Sequence, residues 1–260
     1  MQASKLLTAI STAILLSHAA MAENTSVVNA AGQRLAVIAE FPPGEGKFSA
    51  IVFAPGQGYH MALPAIEATA RSLVEQGIAA FRFNWAYFTA EPRGQPSEDL
   101  SKELQDIQAV LDAARKHPKV SSQNISVGGK SLGSLVAWRA LAADSQLRSA
   151  LLLTPICSRV PKGETLPRSE VEENYPGFEL ERRPTLWISG DKDPLCAPTI
   201  LYGFVGGRAS VARLATVGGD HSYEDRTLPQ PAADTARRRN LAAVTALSAG
   251  FVAEMSSTRP

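Results

Sequence analysis

Two periodicities alternate along most of the chain. Short, nearly unbroken apolar runs such as residues 49–54 and Ile78–Phe83 predict strands buried on both faces. Between them lie longer segments with apolar residues at helical spacing, which predict helices packed on those strands. Strands are expected at Arg34–Phe41, 49–54, Ile78–Phe83, 125–128, Ala150–Leu153, 185–189 and 211–217. Helices are expected at 64–76, 98–116, 131–143 and 232–255, with a Pro- and Gly-bearing loop over 89–97. The punctuation agrees: Pro42-Pro43-Gly44 ends the first strand, Gly77 caps the first helix, and Pro118 follows the second. Such alternation implies the α/β class, an open and mostly parallel sheet with helices on both faces.

One stretch breaks the pattern. Residues 156–183 are polar and proline-rich, with an acidic run over 170–173, and are too long for a simple turn. They are expected to form a short cap or lid insertion over a site; the alternative is a surface excursion without a role. With no internal repeat and no separating linker, residues 23–260 are expected to form one domain. Residues 1–22 have the layout of a secretory signal: Lys5, an apolar run over 6–16, and Ala20-Met21-Ala22 as the cleavage site. The apolar run has roughly half the length of a membrane span, so cleavage before Glu23 and no stable membrane span are expected. The implied location is periplasmic or secreted.

Composition narrows the function classes. The 260 residues include 26 basic and 25 acidic side chains, a balance that argues against a nucleic-acid partner. With 45% hydrophobic and 20% charged residues, the chain buries a core and is not disordered. Two cysteines, Cys157 and Cys196, are too few for a disulfide scaffold, although export permits a single bridge. No neighbouring Cys or His completes a ligand set around either one, and no metal is expected.

The candidate chemistry sits at Gly129-Lys130-Ser131-Leu132-Gly133, a G-x-S-x-G between an expected strand and an expected helix. Such a turn lifts the serine hydroxyl above the sheet edge, and the flanking glycines relieve the crowding it produces. It also aims the Leu132 amide and the helix N-terminus at a developing oxyanion. A phosphate-binding P-loop shares Gly-Lys-Ser, but that motif's first glycine falls at Asn124 and no residues remain to wrap a phosphate. No dinucleotide fingerprint follows the first strand, so no organic cofactor is expected.

A serine nucleophile needs a base, and the base a third group to orient it. His18 belongs to the leader, and His117, before Pro118 at a helix end, suits a solvent-exposed capping role. His221, in Gly218-Gly219-Asp220-His221-Ser222 after the last strand, is the expected base. The acid is expected in Gly190-Asp191-Lys192-Asp193-Pro194. Asp193, before the proline, is favoured over Asp191, which would then form a turn by bonding its own backbone. A second oxyanion donor is expected at the Gln57 amide in Pro55-Gly56-Gln57-Gly58, with a plain glycine turn as the alternative. Tyr59, His60, Trp85 and Tyr87 are candidates to line the pocket, although core packing explains buried aromatics equally well.

Together these segments resemble the α/β-hydrolase superfamily, and in detail a small dienelactone-hydrolase-like branch. The resemblance spans residues 49–255. It rests on Phe53-Ala-Pro-Gly-Gln-Gly58, Phe81-Arg-Phe-Asn84, Gly128-Gly-Lys-Ser-Leu-Gly133, Gly190-Asp-Lys-Asp-Pro194 and Gly219-Asp-His-Ser222. It implies the α/β-hydrolase fold, a triad of Ser131, Asp193 and His221, oxyanion amides at Gln57 and Leu132, and no cofactor. Two positions depart from the wider pattern. Pro55 stands where relatives often have a histidine that buttresses the loop, and Lys130 precedes the nucleophile, as is common in this branch but not in lipases. The fold also puts Cys157 and Cys196 in loops after adjacent strands, where a bridge would tie the base of the cap to the acid loop. The implied activity is hydrolysis of an ester or thioester in a small-molecule acyl substrate, through an acyl-enzyme on Ser131. The competing expectation is a catalytically silent α/β-hydrolase scaffold that serves as a binding module. Acyl preference and oligomeric state are left open by the sequence.

Overall fold

The computed structural model describes residues 20–91, 93–208 and 211–257. The chain opens with β1 (Met21–Val28), β2 (Arg34–Phe41), β3 (Phe48–Ala54), α1 (Pro64–Glu75), β4 (Ile78–Phe83) and α2 (Ala86–Ala90). It continues through α3 (Ser101–Lys116), β5 (Val120–Lys130), α4 (Leu132–Ala143) and β6 (Ala150–Leu153). A small two-stranded ribbon, β7 (Ser158–Arg159) with β8 (Arg168–Ser169), leads to α5 (Val171–Asn174). The last elements are β9 (Thr185–Gly190), α6 (Pro198–Gly206), β10 (Ala212–Val217) and α7 (Ala232–Ser257).

Eight strands form one sheet in the order β1-β2-β4-β3-β5-β6-β9-β10. β2 pairs antiparallel with β1 and β4, and the remaining pairings are parallel. The mostly parallel sheet with helices on both faces is therefore the observed fold. Pleating sends alternate residues of the central strands into two cores. Ala50, Val52 and Ala54 of β3, with Trp187 of β9, pack on the side of α3, α4 and α6. Ile51, Phe53, Leu186 and Ile188 face α1 and α7. Burial on both faces explains why these strands carry no polar alternation.

Four elements, β1, β5, α2 and α6, differ from the sequence expectation. β1 was not expected, because its residues are mostly exposed and give no burial pattern; it is an edge strand paired only with β2. The expected leader, residues 1–22, lies outside the described residues up to position 19, and its last two residues, Met21 and Ala22, begin β1. β5 starts earlier than expected: Val120 pairs with Phe48, and polar Ser121 to Asn124 form an irregularity before Ile125 pairs with Ala50. α2 runs into the start of the expected 89–97 loop, and α6 forms where the sequence pattern predicts no element.

Residues 156–183 are tightly anchored. Val171, Tyr175 and Phe178 are buried, and the rings of Tyr175 and Trp187 lie 4.7 Å apart while those of Phe178 and Phe204 lie 3.8 Å apart. His117 departs from expectation only in its exposure. It is the C-cap residue of α3, as expected, but is half-buried: its ring stacks on Phe41 at 4.4 Å, with Nε2 3.4 Å from a Glu23 carboxylate oxygen. Among the described residues no helix is long and apolar enough to cross a membrane.

Candidate active site

The site lies at the carboxyl ends of β3, β5, β9 and β10, where parallel α/β sheets place their ligands. Ser131 bridges β5 and α4 with φ 55° and ψ −123°, a strained backbone for a residue with a Cβ. Two glycines make the turn possible. A Cβ at Gly129 would stand 2.0 Å from the Gly133 carbonyl oxygen, and one at Gly133 would stand 2.3 Å from that of Ala54. The Ser131 amide donates to Leu153 at 2.9 Å. The Ser131 carbonyl accepts from the amide and the hydroxyl of Ser134, at 2.8 and 2.6 Å. Ser134 Oγ is in turn 2.9 Å from the Tyr175 hydroxyl, which also accepts from the Ile156 amide at 2.9 Å. Burial pushes the Tyr175 hydroxyl up from its ordinary pKa, so it stays a neutral link between the elbow and the 156–183 segment.

His221 Nε2 lies 2.8 Å from Ser131 Oγ, and Nδ1 lies 3.0 and 2.9 Å from the two carboxylate oxygens of Asp193. With the ring proton on Nδ1, the imidazole donates to Asp193 and accepts from the serine hydroxyl. The Asp193 side chain is fully buried, and its carboxylate also accepts from the Leu195 amide at 2.9 Å. The structure thus brings Ser131, His221 and Asp193 into one hydrogen-bonded chain.

Asp191 takes a different place from the one expected. It does not close a turn on its own backbone; its carboxylate accepts from the Gly219 amide at 2.7 Å. The Lys192 amide donates to the Gly219 carbonyl at 2.9 Å, and a Cβ at Gly190 would stand 2.2 Å from that same oxygen. The acid loop and the histidine loop are therefore in backbone contact. Asp220 shapes the second loop by accepting from the Ser222 and Glu224 amides at 2.8 and 3.2 Å.

The expected oxyanion loop runs past the nucleophile: a Cβ at Gly56 would lie 3.3 Å from Ser131 Cβ. Among the described residues, neither the Gln57 nor the Leu132 amide donates to another protein group. The Gln57 side chain turns outward to Gln95 at 2.6 Å. Among the described residues no histidine side chain bonds this loop's Pro55 carbonyl; the Trp85 indole donates to it at 3.0 Å instead. Trp85 is wholly buried, while Tyr59 borders a cavity of 270 Å3 together with Lys130, Ser222 and Leu241. His60 is exposed and accepts from the Ala62 amide.

Cys157 and Cys196 form a disulfide. The Cys157 and Ser158 amides both donate to the Leu195 carbonyl, at 2.9 and 3.0 Å, and the Cys196 amide reaches the Asp193 carbonyl at 3.3 Å. The bridge clips the start of the 156–183 segment to the loop that carries Asp193. Among the described residues no three His, Cys, Asp or Glu side chains converge as a metal-ligand set. The supports that sequence reasoning missed are Trp85, Tyr175 and the Asp191–Gly219 tie. Each acts across a long sequence separation, and only the proximity of Asp191 to Asp193 offered a signal.

A buried Asp–His–Ser chain beyond a strained strand-to-helix turn defines the class of site found on α/β-hydrolase sheets. The family model for the alpha/beta hydrolase domain matches residues 47–253, and the chain belongs to that family. Solved structures agree in fold. Est1E from Butyrivibrio proteoclasticus superposes with a TM-score of 0.65 at 18% identity, over 91% of this chain and 100% of that one. A dienelactone hydrolase from Anabaena variabilis gives 0.68 at 17% identity, over 90% and 97% of the two chains. XC6422 from Xanthomonas campestris, described as a serine hydrolase without a lid, gives 0.63 at 18% identity, over 92% and 97%. No match is found among curated proteins.

Proposed function

We propose that the protein is an exported serine hydrolase that cleaves an ester or thioester through an acyl-enzyme on Ser131. The observation that carries this reading is the continuous chain from Ser131 Oγ to His221 at 2.8 Å and on to Asp193 at 2.9 Å. In the first half-reaction His221 Nε2 takes the hydroxyl proton as Oγ attacks the carbonyl carbon. The displaced electron pair moves to the carbonyl oxygen, which the Gln57 and Leu132 amides hold as it becomes an oxyanion. Asp193 stabilises the imidazolium, which then protonates the departing alkoxide or thiolate. In the second half-reaction His221 deprotonates water, which attacks the acyl carbon and returns the proton-bearing serine and a free acid.

Among the described residues the amides of Gln57 and Leu132 have no protein acceptor, which supports the oxyanion role. Preference for an ester draws on the structural neighbours, one of which is named for a lactone, a cyclic ester. Residues 156–183 border the site as a fixed cap, held by Tyr175 and the disulfide. Export rests on the layout of residues 1–22 and is supported by the disulfide, which an oxidising compartment preserves. Cleavage before Glu23 would leave most of β1 paired with β2. Mass measurement of the N-terminus of periplasmic and culture fractions tests that part.

The activity is tested with a fluorophosphonate probe and a panel of esters and thioesters of graded acyl length. Wild type is expected to be labelled on Ser131, and Ser131→Ala is expected to lose both labelling and about 10⁴-fold or more in kcat/KM. An unlabelled wild type of native fold would overturn the reading in favour of a silent binding scaffold.

A further inference from the structure

Lys130 stands beside the nucleophile yet takes no part in the Ser131–His221–Asp193 chain. It is 2% exposed, and burying an ammonium is unfavourable unless its protons find partners. Nζ donates to the Thr154 hydroxyl at 3.1 Å and to the backbone carbonyl of His221 at 2.8 Å. It also lies 5.6 Å from the centre of the Tyr59 ring, and Asp193 and Asp220 supply compensating charge. Burial still pushes its pKa down to about 8. A methionine would fill the same space without that cost, so the ammonium calls for an account beyond packing.

Its partners supply one. Thr154, the residue after β6, has φ 39° and joins Ser131 among the non-glycine residues of positive φ, as does Tyr223, two residues beyond His221, with φ 59°. Strained backbone of this kind persists only where surrounding contacts impose it. Nζ reaches from the nucleophile's own strand to the residue that bears the base, closing a small ring. The ring runs from Ser131 Oγ through the imidazole to the His221 carbonyl, and back through Nζ to the residue preceding Ser131. Asp191 and Asp220 shape the loop around His221, whereas Lys130 holds residue 221 itself.

We infer that Lys130 is a positioning residue: its ammonium clamps the His221 backbone to the nucleophile strand and keeps the imidazole within reach of Ser131 Oγ. The kinetic side of this inference rests on the serine-hydrolase reading; the structural side does not. A lysine that merely filled space would affect stability and leave the imidazole where it is.

The experiment compares wild type with Lys130→Met, which keeps the length and loses the donor, and with Lys130→Arg, which keeps a donor. The adjoining 270 Å3 cavity gives the larger head group room. One readout is the downfield proton resonance of His221 Nδ1–H against Asp193; the other is the split between kcat and KM on an ester. Lys130→Met is expected to fold, to lose or broaden the resonance, and to lower kcat about 10- to 100-fold with KM nearly unchanged. Lys130→Arg is expected to recover most of both. If Lys130→Met does not fold, Lys130→Gln, polar but too short to reach the carbonyl, takes its place with the same outcomes. A variant without the donor that keeps the wild-type resonance and kcat overturns the inference. A wild type that shows the resonance but neither hydrolyses esters nor reacts with the fluorophosphonate overturns the hydrolase reading alone, and the resonance comparison still decides the role of Lys130.

Discussion

Ser131 is held by backbone packed on backbone, whereas His221 and Asp193 sit on loops that meet at one close backbone contact, Gly190 against Gly219, and are otherwise tied by side chains. At the elbow, Gly129, Gly133 and Ala54 approach so closely that no Cβ fits between them. At the acid and base loops the ties are Asp191 to Gly219, Lys130 to His221, and the Cys157–Cys196 bridge. The first arrangement is carried by backbone atoms and has no slack. The second is assembled from distant parts of the chain and fails one contact at a time, so damage to it should be graded.

The sharpest break of this contrast is Gly129→Ala. Its methyl would overlap the Gly133 carbonyl, and the expected result is a loss of about 5 kcal/mol of stability or no soluble protein, read from expression and melting. A stable, active Gly129→Ala protein would mean the elbow has room it does not show. Next comes the disulfide, whose cysteines are 39 residues apart. The double variant Cys157→Ser, Cys196→Ser is expected to lose about 4 kcal/mol on chain-entropy grounds, seen as a lower Tm that reductant no longer shifts, while kcat falls less than about tenfold. An unchanged Tm would show that hydrogen bonds alone hold the clip.

The third prediction concerns pH. Lys130 faces Asp193, Asp220, the His221 carbonyl and the Tyr59 ring, and its folded pKa of about 8 lies below that of an unfolded lysine. Between those two values the unfolded chain binds more protons than the folded one, so this group's contribution to stability rises with pH. Relative to Lys130→Met, wild type is expected to gain on the order of 3 kcal/mol as pH rises from below 8 towards 10. Denaturant titrations of both proteins across that interval measure it, and a pH-independent difference would mean the ammonium is better solvated than its burial indicates. The smallest effect is expected for Asp191→Ala. It removes one charge-assisted bond between loops that also touch through their backbones, and should lower stability by about 1–2 kcal/mol and kcat about tenfold or less.

The same contrast explains what was legible in the sequence. The elbow is written within five consecutive residues, and the order Ser131, Asp193, His221 follows from strands that announce themselves by apolar runs. Asp193 was separable from Asp191 only by its proline, and geometry now gives the two different partners: His221 for one, Gly219 for the other. β1 escaped notice because an exposed edge strand has no burial pattern to display. α6 escaped because Pro-Thr-Ile-Leu-Tyr-Gly-Phe-Val-Gly is apolar on nearly all sides, so no helical stripe stands out. The partial burial of His117 at its expected helix end was not legible, because a ring stacked on a distant Phe41 leaves no trace in its neighbours. The Trp85 buttress of the Pro55 carbonyl joins residues 30 apart in sequence, and nothing near Pro55 reports it.

The contact between Gly190 and the Gly219 carbonyl has a practical corollary for anyone recombining this scaffold with others. The two loops interlock like the halves of a hinge pin, so lengthening or transplanting one displaces the other. Segments 190–196 and 218–224 behave as a single cassette, and chimeras that exchange both at once should retain the imidazole's aim where single-loop grafts lose it.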